Sequence, residues 1–290
     1  MRVTNNMRQD QTLRSLQANL AQLYKAQSEV STGKRFTRPS EDPVAAGRVM
    51  RADRALRGIE QYRRNLTSVR ARVDTEEGVL NQLGDLLTRA KELAVSESSG
   101  TSTAATRAGA AAELDRILEQ VIQLGNTKVG GEYLFSGHQT ATAPFQADGT
   151  YLGDDGARQA ELTTNYLIDT NHTGRQLLVN SGVLAGLATL RDQLRSGTPA
   201  TVGQAMDGVD TGLNSVQVLL AETGARSRQI DSASENLDAS ESSLTVGKEA
   251  DQGITLEEAT THLMTVQTTL QAALLSTSKV MNLSLTEYLR

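Results

Sequence analysis

GKRFTRPSEDP, residues 33–43, is the stretch on which the reading of the chain turns, because Gly33, Pro39 and Pro43 interrupt one helical pattern and start another. Asp42 followed by Pro43 reads as a helix N-cap with proline at the first helical position, where its missing N–H costs nothing. From Val44 the helical pattern continues to about Glu97 with no further proline. At 1.5 Å per residue that helix is on the order of 80 Å long, too long for a compact sphere. Its apolar seam is Leu66, Val69, Val73, Glu76, Leu80, Leu83, Leu87 and Ala90, with Glu76 as the one polar member.

Upstream of the break, a helix over about Asn5 to Thr32 carries Leu13, Leu16, Leu20, Leu23, Gln27 and Val30 at alternating steps of three and four. That is a coiled-coil seam, narrower than the stripe of a globular surface helix. Downstream, Ser98 to Thr103 form a polar turn, and Leu114, Ile117, Val121 and Leu124 mark an antiparallel return helix ending near Gly130-Gly131. Between Gly131 and Val179 the texture changes to short runs divided by Gly, Asp and Asn: Tyr133-Leu134-Phe135, Thr150-Tyr151-Leu152 and Gln176-Leu177-Leu178-Val179. These read as strands of a small β insert, with Asp154-Asp155-Gly156 as a hairpin turn.

Helical periodicity returns at Val183 to Arg195 and over about Gly203 to Val246. The longer seam is Met206, Val209, Leu213, Val216, Leu220, Thr223, Arg226, Ile230, Ala233, Leu237, Ser240 and Leu244. Successive steps of three at Thr223, and again at Leu66 in the first half, suggest that the two long helices pack side by side. After a break at Gly247 to Gly253 a last helix presents Leu256, Ala259, Leu263, Val266, Leu270, Ala273, Thr277 and Val280. The fold class read from this order is mainly α: an elongated antiparallel helical rod with terminal coiled-coil helices and a small β insert. The domain division is 1–32 and 254–290 for the terminal helices, 33–130 and 180–253 for the rod, and 131–179 for the β outer subdomain.

Composition narrows the function. The 290 residues include 3 Phe, 6 Tyr and no Trp, few of the side chains that build ligand pockets. Zero Cys excludes disulfides, thiolate metal sites and a Cys nucleophile. The first 17 residues hold no continuous apolar run and no stretch approaches 18 apolar residues, so neither a Sec-type signal nor a membrane span is expected. A net charge of −5 argues against nucleic acid as a partner. Charge is uneven, with ten arginines against four acids in residues 35–72 and seven acids against Lys248 in residues 235–258. A solvated helix face complemented by an acidic neighbour explains both. His138, His172 and His262 stand in no ligand spacing, the first two reading as loop residues and the third as solvated. No nucleophile elbow or phosphate loop follows a strand. The expectation is no enzyme, no cofactor and no metal.

Residues 31–50, STGKRFTRPSEDPVAAGRVM, resemble the N-terminal signature of the flagellin superfamily, and within it that of the flagellar hook-associated protein 3 family. Gln61 to Leu66, Ala90 to Ala94, Gly131 to Gly137 and Asn282 to Leu289 resemble further motifs of that family, in order. Filament flagellins tend to read Asp-Asp-Ala-Ala-Gly where this chain has Asp42-Pro43-Val44-Ala45-Ala46, and the proline is typical of the junction proteins. Glu41 departs from the family's usual Asp. The resemblance implies a structural subunit between hook and filament, exported through the flagellar type III apparatus to the cell exterior without a cleaved signal. It implies self-association in a helical or ring layer, hook-associated protein 1 on the hook side, flagellin on the filament side and a flagellar export chaperone. The assembly seams it implies are Leu13, Leu16, Leu20, Leu23, Val30, Leu256, Leu263, Val266, Leu270 and Val280, with Ser40, Glu41, Asp42 and Pro43 as loop and cap. Filament flagellin is the alternative within the class. A coiled-coil signalling protein is the alternative outside it, and an enzyme on the β insert comes third.

Overall fold

The computed structural model describes residues 5–163 and 166–288, with side chains described for Met7 and from Asp10 to Ser278 apart from 164 and 165. The helices are α1 (Asn5–Thr32), α2 (Pro43–Glu97), α3 (Ala104–Gly125), α4 (Val183–Ser196), α5 (Pro199–Gln252) and α6 (Leu256–Tyr288). Among the described residues four short strands lie between α3 and α4: β1 (Lys128–Val129), β2 (Glu132–Tyr133), β3 (Gln159–Thr163) and β4 (Tyr166–Asp169). They form two separate antiparallel pairs, β1 with β2 and β3 with β4. The chain resolves into two compact units, Met1–Gly58 with Ala239–Arg290, and Ile59–Asp238. The division cuts α2 and α5, so each long helix contributes to both units.

In the Ile59–Asp238 unit the α2 seam from Leu66 to Ala90 is buried along its whole length, Glu76 included. Leu80, Leu83 and Leu87 share one core with Leu114, Ile117 and Val121 of α3, Leu187, Leu190 and Leu194 of α4, and Val202, Val209 and Val216 of α5. Ion pairs set the register of the long helices. Positions 63, 70 and 91 of α2 pair with 238, 231 and 210 of α5, equal steps in opposite directions. Exposed pairs of this kind contribute about 0.2–1 kcal/mol each, so the seam supplies the stability and the charges select the alignment.

Helix α4 crosses α5 backbone to backbone at Gly186 and Gly208. A Cβ on Gly186 would lie 2.6 Å from the Gly208 carbonyl oxygen. Gly186→Ala is therefore expected to cost about 1–3 kcal/mol through forced separation of the two helices, read as a lower urea midpoint. Gly58→Ala, where the added carbon meets nothing within 4 Å, is the matched control.

Four local expectations change. Gly130 and Gly131 do not end α3, which stops at Gly125; with φ of 61° and 87° they form the two-residue turn joining β1 to β2. Gln176 to Val179 is not a strand but part of a π-helical turn over Arg175–Asn180, begun by mutual bonds between Thr173 and Gln176. Asp154-Asp155-Gly156 is not a hairpin: the Asp154 carboxylate accepts from the N–H groups of His138 and Gly156, tying two loop segments together. Those bonds hold the Asp154 carboxyl below the usual carboxylate range. Helix α5 also runs through Gly247 to Gln252, its last turns held by Lys248 to Asp53 at 2.6 Å and Asp251 to Arg48 at 2.7 Å.

Candidate assembly surface

The first unit is built on α1 and α6, which lie antiparallel. Gly33, at φ 65°, closes α1 by donating to the Glu29 carbonyl. The chain then pairs with the α5–α6 break: Arg35 N–H donates to Gln252 O at 2.8 Å and Ile254 N–H to Gly33 O at 3.1 Å. These bonds place the end of α1 beside the start of α6. Glu29 is buried, and its Oε2 lies 2.7 Å from Nδ1 of His262 on α6. His262 is exposed, as expected for the solvated side of the last helix, and is at the same time a partner in the pairing of the terminal helices.

The face that α1 turns inward is offset from the leucine seam. Leu16, Asn19, Leu23 and Val30 are partly covered and Ala26 completely, whereas Leu13 and Leu20 are 55% and 37% exposed and Gln27 is open. On α6 the covered stripe is Ala259, Leu263, Val266, Leu270, Ala273 and Thr277, while Leu256, at the first turn, is 67% exposed. Val280 lies outside the residues whose side chains are described. A second apolar face remains open on both helices, with Leu13, Leu20 and Tyr24 on α1 and Met264, Leu274 and Leu275 on α6. Exposed large apolar residues repeating along two paired helices mark a surface for association.

The loop between α1 and α2 is anchored by Phe36, which packs on Ala45, Ala46 and Val49. Asp42 Oδ1 accepts from the N–H groups of Val44 at 3.1 Å and Ala45 at 2.9 Å, with Pro43 as the first residue of α2. Glu41 Oε2 accepts from Thr37 N–H at 3.2 Å, and Ser40 is exposed. Asp42→Ala is expected to lower thermal stability by roughly 1 kcal/mol, because two N–H groups at the positive end of a long helix lose their acceptor. Asp42→Asn, which keeps the acceptor oxygen, should recover most of that loss.

Sequence reasoning missed a buried polar cluster in the second unit. His172, in the segment after β4, is 3% exposed and meets both long helices. Its Nδ1 lies 2.5 Å from Oε1 of Glu76 on α2, and its Nε2 lies 2.8 Å from Oε2 of Glu222 on α5. The Arg226 guanidinium lies against the same ring, 2.8 Å from Nε2, and reaches Glu76 Oε2 at 3.5 Å. Asn171 donates to Leu134 O at 3.0 Å. Glu76 and Arg226 are the charged interruptions of the two long seams, which was the available signal; what they meet could not be read. Among the described residues no group of His, Asp and Glu is arranged to hold a metal, and no helix is long and apolar enough to cross a membrane.

The long antiparallel helices, the paired terminal helices and the insert between α3 and α4 make a mainly α protein with a small β insert, and residues 3–140 match the family described as the bacterial flagellin N-terminal helical region. More particularly, the chain is similar to flagellar hook-associated protein 3 of Salmonella typhimurium, with 33% identity over 179 residues, 61% of this chain and 56% of that relative. The chain thus spans little more than half the length of the hook-associated relative it matches. It is also similar to a flagellin of Halalkalibacterium halodurans, with 27% identity over 83% of this chain and 84% of that one. The crystal structure of the flagellar junction protein FlgL from Legionella pneumophila shares the fold, with a TM-score of 0.61 over 71% of this chain and all of that one at 16% identity.

Proposed function

We propose that the protein is a structural subunit of the bacterial flagellum that joins hook to filament, assembled through its terminal helices, and that it is not an enzyme. The observation that carries this reading is the open apolar face of α1 and α6 on helices whose opposite faces already pair with each other. A free chain leaves that face wet; a layer of neighbouring subunits covers it. The loop from Gly33 to Pro43, capped by Asp42, sets the direction in which α2 leaves the terminal helices. Similarity to hook-associated protein 3 is higher per residue than similarity to flagellin, and Pro43 after Asp42 favours the junction member. On this reading the chain is exported to the cell exterior, self-associates in a closed or helical layer, and meets hook-associated protein 1 on one side and flagellin on the other, with an export chaperone before assembly.

Antibody labelling of isolated flagella tests the reading. A single band at the hook end is expected. Label along the whole filament would replace the junction role with that of flagellin.

A further inference from the structure

A cleft of about 350 Å³ lies between the second half of α1 and the loop that follows it, lined by Tyr24, Lys25, Lys34, Phe36, Arg38 and Glu41 among others. Three of the six charged residues that line it are already used. Glu29 is taken by His262, Glu41 by the Thr37 N–H, and Arg35 by Glu258 at 3.4 Å. Lys25, Lys34 and Arg38 are exposed, and among the described residues no carboxylate meets them. Tyr24, on the same wall, is 69% exposed. The cleft therefore presents three uncommitted cations and a bare aromatic ring, an arrangement suited to an acidic protein segment.

The chain supplies such a segment elsewhere. The Met1–Gly58 and Ala239–Arg290 unit holds 14 basic against 11 acidic residues, whereas the Ile59–Asp238 unit holds 15 against 23. Asp85, Glu119 and Asp207 of that acidic unit are exposed and meet no cation among the described residues. Resting on the self-association read above, we propose that this cleft is a docking site for the acidic Ile59–Asp238 unit of a second copy of the chain. Attraction between exposed charges is screened over a Debye length of about 8 Å at physiological salt, so the contact is salt-sensitive, and complementary charge selects the neighbour's orientation.

The absence of cysteine makes the test clean. A Lys34→Cys chain is co-expressed with a second copy carrying Asp85→Cys, Glu119→Cys or Asp207→Cys, and intact flagella are oxidised. A disulfide-linked dimer is expected from at least one pair and from no single-cysteine chain. Dimer absent from all three pairs, or Lys34→Cys captured by a different protein, overturns the proposal. Charge reversal is the second arm: Lys25→Glu with Lys34→Glu and Arg38→Glu should cut incorporation about tenfold, while Lys25→Arg with Lys34→Arg and Arg38→Lys restores it. Full incorporation of the reversed chain also overturns it. A dimer formed along the filament and not at the hook end would keep the cleft and overturn the junction role.

Discussion

His172→Ala lowers the stability of the Ile59–Asp238 unit by about 3–5 kcal/mol, the loss expected when one partner of a buried charge cluster is removed. Glu76 is fully buried, and its two shortest polar contacts, the ring Nδ1 and the His172 backbone N–H, both come from His172. Without the ring, Glu76 keeps the backbone N–H at position 172 and the longer contact to Arg226, loses its shortest partner and borders a cavity. Thermal unfolding followed by circular dichroism should show a midpoint lower by on the order of 10 °C. The joint change Glu76→Leu, His172→Leu and Arg226→Met removes the charges together and should recover most of the loss, since a buried ionic cluster and a well-packed apolar one are close in free energy. If His172→Ala unfolds within about 2 °C of the natural chain, the cluster does not join the insert segment to the long helices.

The joint variant Leu13→Asp and Leu20→Asp produces the opposite pattern. Both leucines lie on the open face of α1, so the charges stay in water in the free chain and the thermal midpoint should hold within about 2 °C, the scale of a surface change. In an assembled layer the same carboxylates would be buried without partners at several kcal/mol each, enough to reduce incorporation to background. Val266→Asp is the contrasting change: Val266 is covered in the free chain, so its substitution should unpair α1 from α6 and lower helical content before assembly is reached. Normal incorporation and swimming with Leu13→Asp and Leu20→Asp would remove the open face from the account of assembly. A midpoint that fell as far as with Val266→Asp would show that the two leucines are covered after all.

Asp42, Pro43 and the unbroken period from Val44 determine by themselves where α2 starts and that it is long, because capping and periodicity are local. The same holds for α1 and α6, and the arginine surplus of residues 35–72 already asks for an acidic neighbour. It finds one in part along α5, through Arg48, Arg63 and Arg70. The proposed function rests on resemblance to known motifs, and no pattern of charges or spacing alone supplies it.

The face of α1 that pairs with α6 was decided only by the tertiary structure. Leu16, Leu23 and Val30 fit two seams stepping by three and four, one completed by Leu13, Leu20 and Gln27 and the other by Asn19 and Ala26. The structure covers the second, with the polar Asn19 and the small Ala26 turned inward while Leu13 and Leu20 turn outward. A helix with apolar residues on two faces does not state which face its own chain covers, since both satisfy the same period. The same limit hid the cluster around His172. Glu76 and Arg226 stand 96 and 54 residues from His172 in the chain, and each of the three alone reads as an interruption or a loop residue. Their meeting depends on the antiparallel register of α2 and α5 and on the turn that brings the segment after β4 down between them. These are long-range alignments, and local sequence preference carries no information about them.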